Sequence, residues 1–125
     1  MIDHIEIKVK NLNLSFIFYK EILASIDYHL IKTRKENERV TAYGFGRDTR
    51  VYFWIAQGTQ EIISKAHIAF AVNSQVMVDN FYKIALLNKA ISNGEPGFRK
   101  HYNNHYYAAY IIDLDKNNME VVCRL

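Results

Sequence analysis

The chain has 125 residues, half of them hydrophobic and 23% charged, which predicts one soluble globular domain with a sizeable core. The net charge of +3 is small and its basic residues are scattered, which argues against a nucleic-acid partner. The single cysteine rules out an internal disulfide, and there is neither an apolar run of roughly 20 residues nor an evident signal peptide, so we expect a cytoplasmic protein without a membrane partner.

The first half begins with the strand-like run "HIEIKV", in which Ile5, Ile7 and Val9 alternate with polar residues. A helix with apolar residues at helical spacing follows, and it begins at Asn11 or Asn13. Three further strands are predicted at Tyr28–Thr33, Arg39–Phe45 and Arg50–Ala56, with "GFGRDTR" as the turn between the last two.

The second half repeats this order. The run "HIAFAV" from His67 predicts a strand, and Asn73 or Ser74 begins a second amphipathic helix. Three strands are predicted near Gly94–Tyr102, Tyr106–Asp113 and Met119–Arg124, and "DLDKNN" forms the last turn. Without a gap, identical residues coincide at His4/His67, Ile5/Ile68, Val9/Val72, Phe18/Phe81, Tyr19/Tyr82, Lys20/Lys83 and Leu23/Leu86.

The repeat predicts an α+β fold made of two βαβββ repeats, residues 1–58 and 65–125, within a single domain that spans residues 1–125. Each half has about 60 residues, which is marginal for an independent fold. We therefore expect paired mixed sheets around a shared trough, with the helices outside. The inner faces, which carry His4 and His67, would line this trough.

The last strand adds a carboxylate to these histidines. Alternation in "NNMEVVCRL" places Glu120, Val122 and Arg124 on one face, and a glutamate in an apolar strand needs a partner. Two imidazoles and one carboxylate are typical ligands of a divalent transition metal. A histidine at the start of a strand is more often structural, however, and Glu120 has Lys8 and Arg124 as alternative partners.

Four segments of the second half resemble a bacterial glyoxalase-like subgroup of the glyoxalase/bleomycin-resistance/extradiol-dioxygenase superfamily, also called the vicinal oxygen chelate fold. They are "HIAF" (His67–Phe70), "PGFR" (Pro96–Arg99), "YYAA" (Tyr106–Ala109) and "DLDKNNME" (Asp113–Glu120). The resemblance extends over nearly the whole chain. In the last segment Leu114 stands where the subgroup has proline, and Lys116 stands where it has glycine.

The resemblance implies that His4, His67 and Glu120 bind a divalent metal such as Zn, Ni, Fe or Mn. It also implies a lyase, isomerase or dioxygenase-like enzyme whose metal chelates neighbouring oxygens of a small molecule. The halves of such proteins pair within one chain or across a homodimer, and the sequence leaves both arrangements open.

A fourth ligand of glyoxalase I-like members would lie in "RVYFWIAQG". Its candidates are Tyr52, Phe53 and Trp54, and none is an ordinary metal ligand. This departure argues against glyoxalase I activity. It leaves two alternatives open, namely a metal-free small-molecule binding or resistance protein and an interaction module built on the same fold.

Catalytic candidates cluster in "FRKHYNNHYY". An arginine suits a substrate carboxylate or phosphate, and a tyrosine can stack on a substrate and donate a hydrogen bond. With Glu120 these considerations predict Arg99, Tyr106 and Glu120 as the catalytic residues. Further candidates near the trough are Glu6, Lys8, His101, Tyr102, His105 and Tyr107. Strand tyrosines often only pack, and histidines in a loop are often solvated.

Overall fold

The computed structural model describes residues 1–61 and 64–124. The chain divides into two compact units, Met1–Ser64 and Lys65–Leu125, which we call the first and the second unit. The boundary between them coincides with the start of the second predicted repeat. Among the described residues, no helix has the length and apolar character required to cross a membrane.

The first unit is a βαβββ repeat, as predicted. Its sheet has the order β1-β4-β3-β2, in which β1 runs parallel to β4 and the other neighbours are antiparallel. The elements are β1 (Ile5–Val9), α1 (Leu12–Ala24), β2 (His29–Glu36), β3 (Arg39–Arg47) and β4 (Arg50–Gln57).

The second unit has the same topology, which confirms the predicted repeat. Its sheet has the order β5-β8-β7-β6, with β5 parallel to β8 and the remaining pairs antiparallel. The elements are β5 (His67–Ala71), α2 (Gln75–Leu87), β6 (Ile91–Phe98), β7 (Tyr107–Ile112) and β8 (Asn118–Cys123).

Strands β2 and β6 differ most from their predicted bounds, and the other strands differ by one or two residues at an end. Strand β2 continues to Glu36, because it pairs with β3 up to a two-residue turn in which Asn37 and Glu38 both have positive φ. Strand β6 begins at Ile91 rather than Gly94, since Ile91 pairs with Ile112 of β7. It ends at Phe98, so residues 99–102 lie in the loop that leads to β7.

Side-chain caps decide where the helices begin. The Asn11 side chain accepts a hydrogen bond from the Leu14 backbone N–H at 3.1 Å, and the Ser74 hydroxyl accepts one from the Met77 N–H at 3.2 Å. Of the two starts predicted for each helix, the structure therefore selects Asn11 and Ser74.

Each sheet buries one face against its own helix. In β1, Ile7 and Val9 are buried while Glu6 and Lys8 on the opposite face are exposed. In β5, Phe70 is buried while the histidine and alanines of the other face are exposed. The predicted alternation is confirmed in both units, and it leaves the face of β5 that carries His67 away from α2.

Candidate functional site in the second unit

Glu120 lies in the middle of β8 with a neighbouring strand on each side. It stands opposite Ala69 of β5 and Tyr110 of β7, and only 2% of the residue is exposed. A buried carboxylate is costly unless donors compensate for its lost hydration.

Two side chains provide these donors. The His67 Nε2 lies 2.8 Å from one carboxylate oxygen of Glu120, and the Tyr106 hydroxyl donates a short hydrogen bond to the other oxygen. The imidazole of His67 is about half exposed, whereas the carboxylate is enclosed. Glu120 is thus a buried anion whose two oxygens are both engaged, with a solvent-accessible imidazole beside it.

The surrounding phenols are held in their protonated form. Burial, followed by the hydrogen bond to Glu120 and the charge of this residue, raises the pKa of Tyr106 well above its ordinary value. Burial and then the Glu120 charge raise the pKa of Tyr110 to about 12. Both tyrosines therefore act as hydrogen-bond donors at neutral pH, and neither is suited to be a general base there.

These residues line a pocket of about 460 Å³. The Arg124 guanidinium lies 4.7 Å from the centre of the Tyr106 ring, and the Tyr102 ring lies 5.2 Å from the same ring. The full lining consists of His67, His101, Tyr102, Tyr106, Tyr110, Glu120 and Arg124.

The polar residues stand beside a small apolar cluster. Tyr106, Ala108 and Val122 form this cluster, and Tyr110 packs against it. A pocket with an apolar wall and a few convergent polar groups is the usual form of a small-molecule site. The arrangement can bind a small molecule that accepts a hydrogen bond from the phenols with one of its oxygens. An anionic part of this molecule would lie near Arg124, and an apolar part would pack against the cluster.

The predicted residues of the second unit are placed as follows. His67, Tyr106 and Glu120 are brought together. Arg99 is adjacent to them, because its guanidinium lies 5.3 Å from the centre of the Tyr110 ring and donates to the Glu95 carbonyl at 2.6 Å. Arg99 thus supports a pocket residue and does not itself belong to the lining.

His4 precedes β1 in the first unit, where its Nδ1 lies 2.8 Å from the exposed Asp3 carboxylate. The three-ligand set of His4, His67 and Glu120 stays a prediction. Neither alternative partner proposed for Glu120 is used: Lys8 pairs with Glu6 at 3.0 Å, and Arg124 lies over the Tyr106 ring.

Tyr110 is a pocket residue that was not among the predicted site residues. A signal for it exists, since Tyr106 and Tyr110 are four residues apart and thus share a face of a strand. What the sequence does not contain is the register of β7 against β8, which sets Tyr110 directly opposite Glu120.

Two atoms in the pocket could serve as ligands of a divalent transition metal. The His67 Nε2 and a Glu120 oxygen are 2.8 Å apart, and imidazole with carboxylate is a common ligand pair. Binding both to one ion would require the hydrogen bond between them to be given up. Among the described residues, no group of three His, Cys, Asp or Glu side chains is gathered closely enough to hold a metal.

Strand register identifies the counterpart of Glu120 in the first unit. Glu120 pairs with Ala69 and Tyr110, and Trp54 pairs in the same way with Glu6 and Gly44. Of the three candidates for the fourth-ligand position, Trp54 is therefore the equivalent residue. An indole does not bind such a metal as an ordinary ligand.

Comparison with solved structures defines the class of fold, which is that of the glyoxalase/bleomycin resistance/dioxygenase proteins. A glyoxalase/bleomycin resistance protein from Albidiferax ferrireducens T118 superposes with a TM-score of 0.79 at 23% identity, covering 98% of each chain. A glyoxalase/bleomycin resistance protein/dioxygenase family enzyme from Burkholderia phytofirmans PsJN gives 0.73 at 15% identity, over 99% of this chain and 98% of that one.

A third structure with this fold is the genomically encoded fosfomycin resistance protein FosX from Listeria monocytogenes. It gives a TM-score of 0.69 at 19% identity, over 98% of this chain and 92% of that chain. No protein-family model and no curated protein sequence matches the chain. At these identities the comparisons establish the fold, as the sequence resemblance predicted.

Proposed function

We propose that the protein is a metal-dependent enzyme of the glyoxalase/bleomycin resistance/dioxygenase superfamily. It acts as a lyase, isomerase or dioxygenase-like catalyst on a small oxygenated molecule. The observation that carries the proposal is the buried Glu120 carboxylate beside the accessible His67 imidazole, at the edge of a pocket lined with phenols. His67 and Glu120, with His4 as the third ligand, would hold a divalent ion of Zn, Ni, Fe or Mn.

When bound, such an ion supplies Lewis acidity that stabilises negative charge on a substrate oxygen. The chain's own residues have separate roles. In the metal-free protein Glu120 fixes the position of the His67 ring, while Tyr106 and Tyr110 keep their protons and donate hydrogen bonds. Arg99 steadies Tyr110, while Arg124 offers a positive charge at the pocket to an anionic part of the substrate.

Metal titration of the dialysed, folded protein tests this function. Wild type should bind one divalent ion per site, and His67→Ala, Glu120→Gln and His4→Ala should each weaken binding at least tenfold. His29→Ala is the matched control, because His29 is exposed and pairs with the exposed Asp27 at 3.0 Å. Absence of affinity for Mn, Fe, Ni and Zn in wild type, or equal losses in His67→Ala and His29→Ala, would contradict the proposal.

A metal-free binding or resistance protein is the second candidate. Two observations favour it: protein donors already engage both oxygens of Glu120, and Trp54 occupies the position equivalent to Glu120. In the presence of EDTA, small aromatic ligands should then raise the melting temperature of wild type and have less effect on Tyr102→Ala. A ligand whose binding disappears with EDTA would decide for the metalloenzyme.

The proposal includes one domain of residues 1–125 that works in the cytoplasm. The single domain is supported by a solved structure of this fold that matches 98% of the chain. Limited proteolysis should not release a stable fragment cut between the two units. Light scattering distinguishes a monomer from the homodimer that such folds allow.

A further inference from the structure

The first unit contains an open groove of about 1180 Å³, which we call the basic groove. It lies where β1 passes into α1 and beside the β2–β3 hairpin. Its charged lining residues are Lys8, Lys10, Arg34 and Arg39 against the single carboxylate of Glu36. No residue of the His67–Glu120 pocket contributes to this lining.

The side chains of Lys8 and Arg34 are held in place. The Glu6 carboxylate accepts from Lys8 at 3.0 Å with one oxygen and from Arg34 at 2.9 Å with the other. The Arg34 guanidinium also lies 4.7 Å from the centre of the Trp54 ring. Both cationic side chains remain more than 40% exposed. They are therefore held in position and are still accessible to a ligand.

The floor of the groove is also fixed. The Gln57 side chain accepts from the Leu12 N–H at 3.2 Å and donates to the Lys10 carbonyl at 2.9 Å. Together with the Asn11 cap, this uses N–H groups at the start of α1 within the protein itself. The positive character of the groove therefore comes from its lysine and arginine side chains and not from the end of the helix.

We propose that the basic groove binds a small polyanion that carries two or more adjacent phosphate-type groups. Four cations stand against two carboxylates, namely Glu36 of the lining and Glu6, which pairs with Lys8 and Arg34. The groove therefore keeps an excess of positive side chains, and a ligand with several negative charges gains more from it than a single anion does. The volume is ample for two phosphate groups with an organic part. Arginine and lysine together provide both the planar fork and the point charges that bind phosphate oxygens.

Calorimetric titration with inorganic pyrophosphate tests the proposal. EDTA is present throughout, so that chelation of a metal at His67 and Glu120 does not contribute. We expect saturable binding that is tighter for pyrophosphate than for orthophosphate and that weakens as salt rises, because three of the four cations are exposed. The double variant Lys10→Gln/Arg39→Gln should lose at least tenfold in affinity.

The matched control is Lys20→Gln/Lys83→Gln, which removes the same charge from exposed, equivalent positions of the two helices. It should retain the wild-type affinity, and so should His67→Ala, which separates this inference from the proposed enzyme function. Three results would overturn the proposal: no saturable binding up to about 10 mM pyrophosphate, equal affinity for orthophosphate, or equal losses in the two double variants.

Discussion

The two units share one backbone plan and differ on the sheet face that is turned away from the helix. In the second unit this face carries the buried Glu120 anion with Tyr110 opposite it. At the equivalent places the first unit has Trp54 with Gly44 opposite it. The two units thus have the same strand pairing at this position, where one holds a buried carboxylate and the other an indole.

In each unit an aromatic ring covers a glycine of the next strand. A side chain on Gly44 would come within 3.0 Å of the Trp54 ring, and one on Gly94 would come within 2.9 Å of the Tyr110 ring. In the first unit the ring occupies the Glu120-equivalent position itself. In the second unit the ring is that of Tyr110 on β7, next to the strand that carries Glu120. The position on β8 is therefore available for a carboxylate and its hydrogen bonds.

The largest expected effect concerns a difference in strand pairing. Strands β3 and β4 shift register at Gly46, whereas β7 and β8 pair without a shift. A Cβ on Gly46 would lie 1.8 Å from the Arg50 backbone oxygen, so Gly46→Ala should lower the free energy of unfolding by about 2–4 kcal/mol in urea denaturation.

Gly97→Ala in the second unit is the control, since its new Cβ would mainly meet the end of the flexible Arg99 side chain at 3.1 Å. It should change the stability by less than about 0.5 kcal/mol. Equal losses in the two alanine variants would show that the register shift places no special demand on Gly46.

The next effect compares two carboxylates on the corresponding faces. Removing Glu120 leaves the buried Tyr106 hydroxyl without its acceptor, so Glu120→Ala should cost about 1–3 kcal/mol in EDTA-treated protein. Glu6→Ala removes a carboxylate whose ion pairs with Lys8 and Arg34 are exposed, and it should cost less than about 1 kcal/mol. A smaller loss for Glu120→Ala than for Glu6→Ala would refute the distinction.

The sequence was sufficient to predict the repeat, because period-2 alternation and matching helix signals occur twice at a fixed offset. It also indicated His67 through its repeat at His4, Glu120 as a carboxylate within an apolar strand, and Tyr106 as a phenol of "FRKHYNNHYY". The chain contains no local signal, however, for which residues of neighbouring strands stand opposite each other. The position of Tyr110 opposite Glu120, and that of Trp54 as the counterpart of Glu120, were therefore accessible only from strand register.

The end of β6 shows a second limit. "NGEPGFRKHY" combines glycines, a proline and aromatics, so the sequence alone does not indicate where pairing with β7 stops. In the structure the Arg99 N–H closes the loop by donating to the Tyr106 carbonyl at 2.7 Å. Arg99 was consequently predicted on a strand beside the site, whereas it folds back over Tyr110 from the loop.

A smaller effect tests what the units share. Asn11 and Ser74 cap equivalent helices in the same way, because the side chain of each accepts a hydrogen bond from the backbone N–H three residues further along the chain. Asn11→Ala and Ser74→Ala should each lower the free energy of unfolding by about 1 kcal/mol. Asn13→Ala is the control, because Asn13 is exposed and lies inside the first turn instead of at the cap. If the two cap variants lost no more free energy of unfolding than Asn13→Ala does, packing alone would set the start of each helix.

The smallest effect appears only in alkali, and it concerns the position that is Tyr110 in one unit and Gly44 in the other. Burial and the Glu120 charge raise the pKa of Tyr110 to about 12, compared with 10.0 for an unperturbed phenol. The folded protein thus binds this proton more tightly than the unfolded chain does. Its contribution to stability is complete below pH 10 and is lost as the pH rises towards 12. The free energy of unfolding should therefore fall less steeply between pH 10 and 12 in Tyr110→Phe than in wild type, and identical slopes would contradict the placement of this phenol against the Glu120 carboxylate.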